Sequence, residues 1–297
     1  MSQPSFAARR AALRQRLKAR DKGLLVAPGV YDLITARIAD TFGFEALYMT
    51  GYGVSASYLG VPDAGFATYT DMENRVRTIS NVASTPLIAD GDTGYGGALN
   101  VMHTIRGYER AGAAAIQIED QEFPKRCGHT LGRRVLPMED MVLKLRVAVD
   151  TREDPNFLII ARTDARTTLG LDEALRRGEA YVKAGADVLF VESPESEEEM
   201  ARICRHFDVP LLANMVESGR TPVLSREKLE QLGYALAIFP TAAFLSAGAV
   251  FQQVYTTLKE QGSTAGSPIP MADFQSFSRQ MGFAEVWDFD KKYGSRD

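Results

Sequence analysis

Residues 110–119 read RAGAAAIQIE, and residues 183–192 read KAGADVLFVE. Each stretch has a glycine where a helix would end, then a short apolar run, then a glutamate. Glycine often follows the last turn of a helix because it tolerates left-handed backbone. A short, continuous apolar run is typical of a parallel strand that is covered on both faces. The repeated pattern therefore predicts two helix–strand units of the same kind.

Apolar runs of this type recur along the whole chain. Helix-like segments separate them, such as residues 172–186 and 197–207, in which apolar positions follow a helical period. The eight runs are 24–29, 46–51, 86–92, 114–120, 157–164, 188–193, 210–215 and 236–240. Eight strand–helix units predict an α/β fold of the (β/α)8, TIM-barrel type. An open, doubly wound sheet is the alternative, because the number of strands does not prove that the sheet closes.

The two ends of the chain lie outside this repeat. Residues 1–22 carry charges without an apolar signal core and predict an amphipathic leading helix. Residues 262–297 predict a C-terminal helical tail, whose aromatic residues include the only tryptophan, Trp287. These aromatics need a surface to bury against, either the barrel or a neighbouring subunit. No linker-like segment divides the chain, so we predict one barrel domain over residues 1–297.

The composition narrows the class of partner. A formal net charge of −4 gives no general attraction to nucleic acid or to anionic lipid. There is no run of about 18 apolar residues that would span a membrane. Two cysteines, Cys127 and Cys204, cannot form a disulfide framework and suit a reducing compartment. We therefore predict a cytoplasmic protein that acts on small molecules.

Polar residues that interrupt the apolar runs stand at their carboxyl ends. In a (β/α)8 barrel, these ends and the loops after them form the active-site face. The residues there are Tyr48, Thr50, Gly51, Tyr52, Asp90, Asp92, Glu119, Asp120, Arg162, Asp164, Glu192, Asn214 and Glu217. Acids embedded in the ends of buried strands indicate a site. The alternative for an acid taken singly, such as Asp120 or Asp164, is a cap on the following helix.

The acids of this set predict a metal site. Several carboxylates at one mouth would repel each other unless a cation lay among them. Oxygen ligands without a His or Cys cluster suit Mg²⁺, or Mn²⁺, better than zinc. Because Mg²⁺ takes only one or two carboxylates directly, we expect either Asp90 or Asp92 to bind it directly. Glu119 and Asp63 would then reach the ion through water.

A second group of reactive side chains follows the fourth run. Residues 125–129 read KRCGH, which places one of the two cysteines beside two cations and near one of the three histidines. A thiol in such a positive field has a lowered pKa and can transfer a proton near neutral pH. Glycines in residues 121–136 make this loop flexible enough to close over a site. The alternative is a basic surface loop with an incidental cysteine.

Seven motifs, in this order, resemble those of the isocitrate lyase and phosphoenolpyruvate mutase superfamily: MTGYG, GVPDAG, DGDTGYG, IEDQ, PKRCGH, ARTDA and ANMVE. The resemblance covers residues 24–260 and is greatest to the short branch of 2-methylisocitrate and 2,3-dimethylmalate lyases. KRCGH marks the lyases, whereas phosphonomutases carry a different loop there. The resemblance implies a last helix that is exchanged between subunits, a homotetramer, and a Mg²⁺ site for the 2-oxo or 2-hydroxy acid end of the ligand.

The resemblance also implies roles for individual residues. Asp90 corresponds to the direct metal ligand, and the acids that hold metal-bound water correspond to Asp63, Asp92 and Glu119. Tyr48 corresponds to a proposed base, and Cys127 to the proton donor. Arg162 corresponds to the arginine that holds the α-carboxylate. The groups near the other carboxylate correspond to Lys125, Gly128, His129 and Asn214.

The loop for the pyruvate-like carboxylate corresponds to Thr50, Gly51 and Tyr52. The family often has Ser-Gly-Gly or Ser-Gly-Ala there, so Tyr52 departs from the pattern and would narrow the pocket. We add Arg126 and Glu192 as substrate contacts at the same mouth.

These parts predict a carbon–carbon lyase that cleaves a 2-hydroxy acid by a reverse aldol reaction. The substrate would be a di- or tricarboxylate, either a substituted malate or 2-methylisocitrate. Residues 130–134, TLGRR, are less basic than a tricarboxylate would require, which favours a methyl-substituted malate. An oxaloacetate hydrolase or decarboxylase is the main alternative. A phosphonomutase and a non-catalytic dicarboxylate-binding barrel are further alternatives.

Overall fold

The computed structural model describes residues 3–128, 130 and 132–294, and contains a closed barrel of eight parallel strands. Each strand pairs with the next along the chain, and the eighth pairs with the first, with Leu25 opposite Leu236. The strands are β1 Leu25–Val30, β2 Leu47–Met49, β3 Leu87–Asp90, β4 Ala115–Glu119, β5 Leu158–Thr163, β6 Val188–Val191, β7 Leu211–Asn214 and β8 Leu236–Phe239. The (β/α)8 prediction is confirmed, and the open sheet is excluded.

Helices follow the strands and surround the barrel. Those of the first 243 residues include α1 Phe6–Lys18, α2 Leu33–Asp40, α3 Gly51–Val54, α4 Tyr69–Val82, α5 Ala98–Ala111, α6 Met138–Thr151, α7 Ala165–Leu169, α8 Leu171–Lys183, α9 Glu197–His206 and α10 Arg226–Leu232. Gly112 follows α5 with φ of 101°, and Gly185 follows α8 with φ of 104°. Only glycine adopts such backbone without strain, so both predicted helix ends are confirmed.

The chain divides into two compact units, Met1–Ala243 and Phe244–Asp297. The first contains the barrel. The second is helical and holds most of α11 Ala242–Gln261 together with α12 Phe274–Gln280 and α13 Phe283–Tyr293. The single domain over residues 1–297, with a tail from residue 262, therefore stays a prediction. In the part of the chain that the structure describes, no helix has the length and apolar character needed to cross a membrane.

The helix α1 closes the amino-terminal end of the barrel. Leu13 and Leu17 are buried in one cluster with inward-facing residues of the strands, such as Leu25 and Leu236. The leading segment thus contains a helix, and its buried face carries arginines as well as leucines: Arg9, Arg10, Leu13, Arg16 and Leu17.

These arginines bind the ends of other helices. Arg9 Nη1 donates to the carbonyls of Ser80 and Ala83 at 2.7 and 2.6 Å. Arg10 Nε donates to the carbonyl of Ala113 at 3.1 Å. The last carbonyls of a helix have no partner within the helix. The arginines of α1 therefore complete hydrogen bonds at or just beyond the carboxyl ends of α4 and α5.

We expect Leu13→Ala to lower the free energy of unfolding by about 2–5 kcal/mol, because it leaves a cavity at the closed end of the barrel. Urea denaturation followed by circular dichroism measures this change. The matched control is Leu99→Ala on α5, where the side chain is 77% exposed. The control should change stability by about 0.5 kcal/mol or less. Equal losses in both variants would contradict the role of α1 as part of the core.

Candidate active site

A lysine lies among the acids at the carboxyl ends of the strands. Asp90 ends β3, Asp92 lies two residues beyond, and Glu119 ends β4. The Nζ of Lys125 lies 2.7 Å from Asp92 Oδ1 and also forms an ion pair with Asp63. All five side chains are less than one-tenth exposed. The acids are therefore brought together as predicted, but Lys125 is embedded among them rather than opposite them.

Burial sets the protonation of this group. Burial raises the pKa of Asp92 to about 7, although Lys125 opposes the shift. Burial also raises the pKa of Asp90, and it raises that of Glu119 well above its usual value. Burial alone would lower the pKa of Lys125, but Asp92 and Asp63 outweigh this effect and hold it well above its ordinary value. The negative charge of the clustered acids therefore keeps Lys125 protonated and would attract a further cation.

Arg162, from β5, provides the second buried cation. Its Nη1 lies 3.2 Å from Glu119 Oε2, and its Nη2 lies 3.5 Å from Glu192 Oε2. Its guanidinium also forms two hydrogen bonds of 2.9 Å with the carboxylate of Asp164. Burial lowers the pKa of Arg162, but these three acids outweigh it and raise the pKa well above the usual value. Arg162 and Lys125 thus neutralise part of the negative charge of the carboxylates, which the sequence had assigned to a metal ion.

The carboxylates of this group offer only part of the ligand shell of a hard divalent cation. Within the described residues, no three His, Cys, Asp or Glu side chains are grouped closely enough to hold a metal between them. However, Glu119 Oε1 is buried and has no hydrogen-bond partner among those residues. Mg²⁺ binds through one or two carboxylates and keeps several waters. The residues therefore fit an ion bound by one carboxylate directly and by the others through water.

Gln117, which was not among the predicted site residues, joins two of them. Gln117 lies within β4 and is fully buried. It accepts a hydrogen bond from Tyr48 Oη at 3.2 Å and donates to Asp90 Oδ1 at 3.4 Å. Burial, then Asp90, raises the pKa of Tyr48 well above its usual value. The phenol is thus protonated and donates the hydrogen bond to Gln117. In the sequence, Gln117 is the polar amide in the middle of the apolar run 114–120, and this interruption could have marked it as a site residue.

The segment after β2 approaches the acids closely. A Cβ on Gly51 would lie 2.5 Å from Asp90 Oδ2, so only glycine fits there. Thr50 is buried, and its hydroxyl accepts a hydrogen bond from the backbone of Gly53 at 3.3 Å. Tyr52 is 37% exposed and faces a pocket instead of the core.

The described residues of the loop, 121–128, 130 and 132–136, which we call the flap, place Cys127 next to Asp63. The backbone N–H of Cys127 donates to the carbonyl of Asp63 at 3.1 Å. Cys127 is partly exposed and forms no disulfide bond. It lines a pocket of about 360 Å³ together with Tyr52, Pro62, Asp63, Ala64, Arg126 and Thr130. Cys127 and one of the predicted acids, Asp63, therefore line the same pocket. His129 lies outside the described residues.

The flap also reaches the residues just after β6, which in turn contact the end of β7. The carbonyl of Gly128 accepts a hydrogen bond from Ser193 Oγ at 2.9 Å. A Cβ on Gly128 would lie 2.8 Å from Glu192 Cδ. Asn214 Nδ2 donates to Glu192 Oε2 at 3.2 Å. These contacts bring Gly128, Glu192 and Asn214 together with Arg162 at one mouth, as the sequence predicted.

The helix-cap alternative is wrong for Asp120 and Asp164. Asp120 Oδ2 accepts hydrogen bonds from Thr163 Oγ1 and Tyr181 Oη, each at 2.7 Å. Asp164 precedes α7, but its side chain makes no cap hydrogen bond. Both carboxylates belong to buried networks behind the mouth. Glu217 accepts a hydrogen bond from Thr241 Oγ1 at 2.7 Å.

The closed parallel barrel, with its ionisable side chains concentrated at the carboxyl ends of the strands, places the protein in the class of (β/α)8-barrel enzymes. The model of the family described as phosphoenolpyruvate phosphomutase matches residues 13–259. The chain belongs to this family, and the resemblance stated from its motifs is confirmed.

Three similar proteins illustrate the range of the family. The chain is 51% identical to the 2,3-dimethylmalate lyase of Eubacterium barkeri, over 92% of this chain and 95% of that one. It is 43% identical to a 2-methylisocitrate lyase of Aeropyrum pernix, over 84% and 80% of the two chains. A solved structure of an oxaloacetate acetylhydrolase with 3,3-difluorooxalacetate has a TM-score of 0.92 and 36% identity, and covers 99% of both chains.

Proposed function

We propose that this chain is a carbon–carbon lyase that cleaves a methyl-substituted malate into a 2-oxo acid and a carboxylic acid. The observation that carries the proposal is the position of Cys127, which lines the same pocket as Asp63, beside the Lys125 and Asp92 pair. The thiol that would donate the proton thus lies next to acids that can hold a cation and to a lysine that can bind a carboxylate. The 51% identity to a 2,3-dimethylmalate lyase supports the substrate class.

Cleavage begins with removal of a proton from the substrate hydroxyl, a step that we assign to Tyr48. Burial raises the pKa of this phenol well above its usual value, although the positive charge of Arg162 opposes the shift, so Tyr48 must release its own proton to solvent before it acts as the base. Arg162 binds the α-carboxylate and the oxygen that becomes a carbonyl, since its planar fork matches two oxygens at once. Thr50, Gly51 and Tyr52 border this end of the substrate.

The departing fragment carries the electrons of the broken bond as an enediolate. Lys125 and Arg126 supply positive charge for it, together with His129 in this proposal. Cys127 then gives its proton to carbon, which completes the carboxylic acid. Gly128, Glu192 and Asn214 border the second carboxylate. The flap over the mouth excludes water from the carbanion while it awaits the proton.

We assign the metal to Mg²⁺, with Mn²⁺ as a substitute, held directly by Asp90 and through water by Asp63, Asp92 and Glu119. The ion would supply positive charge that stabilises the developing oxyanion and would lower the pKa of neighbouring acids. The buried Glu119 Oε1 and the raised pKa values of Asp90 and Asp92 support this assignment.

The test is product analysis with four acids in the presence of Mg²⁺: 2,3-dimethylmalate, 2-methylisocitrate, oxaloacetate and isocitrate. We expect 2,3-dimethylmalate to give pyruvate and a carboxylic acid with the highest kcat/KM. A sample depleted of divalent ions is the control. If neither 2,3-dimethylmalate nor 2-methylisocitrate gives pyruvate, the proposal is refuted.

An oxaloacetate hydrolase or decarboxylase is the second candidate, because the fold matches an oxaloacetate acetylhydrolase over 99% of both chains. The same assay separates these reactions. A hydrolase releases oxalate and acetate from oxaloacetate, whereas a decarboxylase releases pyruvate and carbon dioxide. Both leave dimethylmalate intact.

The proposal includes a homotetramer with exchanged last helices in the cytoplasm. The second unit supports an oligomer, because it exposes large apolar side chains at Phe251, Tyr255, Phe274, Trp287 and Phe289. The two cysteines, which form no disulfide bond with each other, support a reducing compartment. Light scattering on the purified chain tests the oligomer, with a mass near that of one subunit as the contrary result.

A further inference from the structure

Asp164 is fully buried and fixes the orientation of Arg162. Its Oδ2 accepts from Arg162 Nε and its Oδ1 from Arg162 Nη2, both at 2.9 Å. A carboxylate that binds an arginine at two points holds the plane of the guanidinium as well as its position. Asp164 therefore determines the direction in which Arg162 presents its remaining donor atoms.

The same carboxylate holds the flap on both sides of Cys127. On the carboxyl side, Arg133 Nη1 donates to Asp164 Oδ1 at 2.6 Å, and Arg133 Nη2 donates to Thr167 Oγ1 at 2.6 Å. On the amino side, Gln121 Nε2 donates to Asp164 Oδ1 at 3.2 Å. One buried group thus contacts Arg162 and two residues of the flap.

Gln121 carries the connection to the backbone next to the thiol. Its Nε2 donates to the carbonyl of Arg126 at 2.8 Å, and its Oε1 accepts from the N–H of Arg126 at 2.9 Å. Arg126 immediately precedes Cys127 in the chain. The position of the thiol is therefore linked to Asp164 through a single glutamine side chain.

The charges explain why two arginines share this acid. Burial alone would raise the pKa of Asp164, but Arg162 and then Arg133 lower it below its usual value. Arg162 also lies near Glu119 and Glu192, so its charge is divided among three acids. Arg133 compensates Asp164 and leaves Arg162 free to interact with other anions. The side chain of Arg133 is fully buried in this contact, which indicates a built connection and not a surface ion pair.

We propose that Arg133 and Asp164 are positioning residues that couple the seated flap to the orientation of Arg162. When the flap is seated, Arg133 and Gln121 hold the carboxylate that orients Arg162. When the flap lifts, Asp164 loses these partners and Arg162 loses its fixed orientation. Seating of the flap would therefore bring Cys127 into place and orient Arg162 for the substrate carboxylate at the same time. The assignment of Arg162 to the substrate rests on the proposed function.

The test compares Arg133→Met with Arg133→Lys and with the neighbouring control Arg134→Met. Arg134 lies in the same loop, but its side chain is 75% exposed and pairs with Glu122, a contact that contributes little. Three readouts apply: hydrogen–deuterium exchange of flap peptides, the Kd of oxalate in the presence of Mg²⁺, and kcat and KM. Oxalate is a planar dianion that an arginine fork can bind at two oxygens.

For Arg133→Met we expect flap exchange to rise about tenfold, since a local closing contact is lost. We expect kcat/KM to fall about a hundredfold, as misplacement of a binding group commonly does, and oxalate to bind more weakly. Arg133→Lys should recover part of both losses, because it keeps the charge next to Asp164. Arg134→Met should behave as wild type.

Unchanged flap exchange and unchanged oxalate affinity in a folded Arg133→Met would overturn the proposal. If that variant does not fold, Thr167→Val replaces it, since this change removes only the second acceptor of Arg133. A rise of about threefold in flap exchange would then support the coupling, and no rise would overturn it. If wild type cleaves none of the acids tested, the proposed function fails, whereas exchange and oxalate binding still decide the coupling.

Discussion

Cys127→Ser should reduce turnover by about a thousandfold, within the range that a positioned general acid contributes. Serine keeps the size of the side chain but holds its proton far more tightly than a thiol does. The backbone contact of Cys127 with Asp63 does not involve the side chain and should persist. Steady-state formation of pyruvate measures the loss. Calorimetry with oxalate and Mg²⁺ should show affinities close to those of wild type.

The second cysteine provides a matched control for this experiment. Cys204 lies on α9 and lines a different pocket, with Gly23 and Pro210 at the amino ends of β1 and β7. Burial raises the pKa of the Cys204 thiol to about 12, so it is unreactive near neutral pH. Cys204→Ser should retain full activity. Near-normal turnover in Cys127→Ser would remove Cys127 from the role of proton donor.

Asp90→Ala should abolish metal-dependent activity, with a loss of about a thousandfold or more, since a Lewis acid contributes several kcal/mol to such reactions. Asp90 Oδ1 also accepts hydrogen bonds from the N–H of Asp92 and from Gln117. Asp90→Asn keeps the shape and an acceptor oxygen but not the charge. Equal losses in both variants would assign the effect to charge and not to packing.

Direct binding of Mg²⁺ is the companion measurement for both variants. Calorimetry should show weakened binding in each of them, while the melting temperature of Asp90→Asn stays near that of wild type. An undiminished rate of wild type after removal of divalent ions would contradict the metal assignment for the whole site.

The barrel could be predicted because its strands are covered on both faces and therefore appear as continuous apolar runs. Each of the eight predicted runs contains most or all of one strand. Strand ends such as Asp90 and Glu119 were visible for the same reason, since a charge at the end of a buried run is conspicuous. The active-site face followed from the fold class alone.

The pairing of charges within the site could not be predicted in the same way. Lys125 binds Asp63, which lies 62 positions earlier in the chain, and nothing in the local sequence distinguishes it from its neighbour Arg126. Arg133 likewise resembled a solvated residue of a basic loop, yet its side chain is buried. Such pairs depend on where the loops cross the barrel mouth, and local pattern does not encode that.

The pairing of β1 with β8 delays completion of the fold during synthesis. Leu25 is opposite Leu236, so the first strand leaves the ribosome 236 − 25 = 211 residues before its last neighbour. At about 5–20 residues per second, this interval lasts roughly 10–40 s. During that time one edge of the nascent sheet has no neighbour, a state that invites association with other chains. Chaperones that shield such edges would therefore raise the yield of active protein.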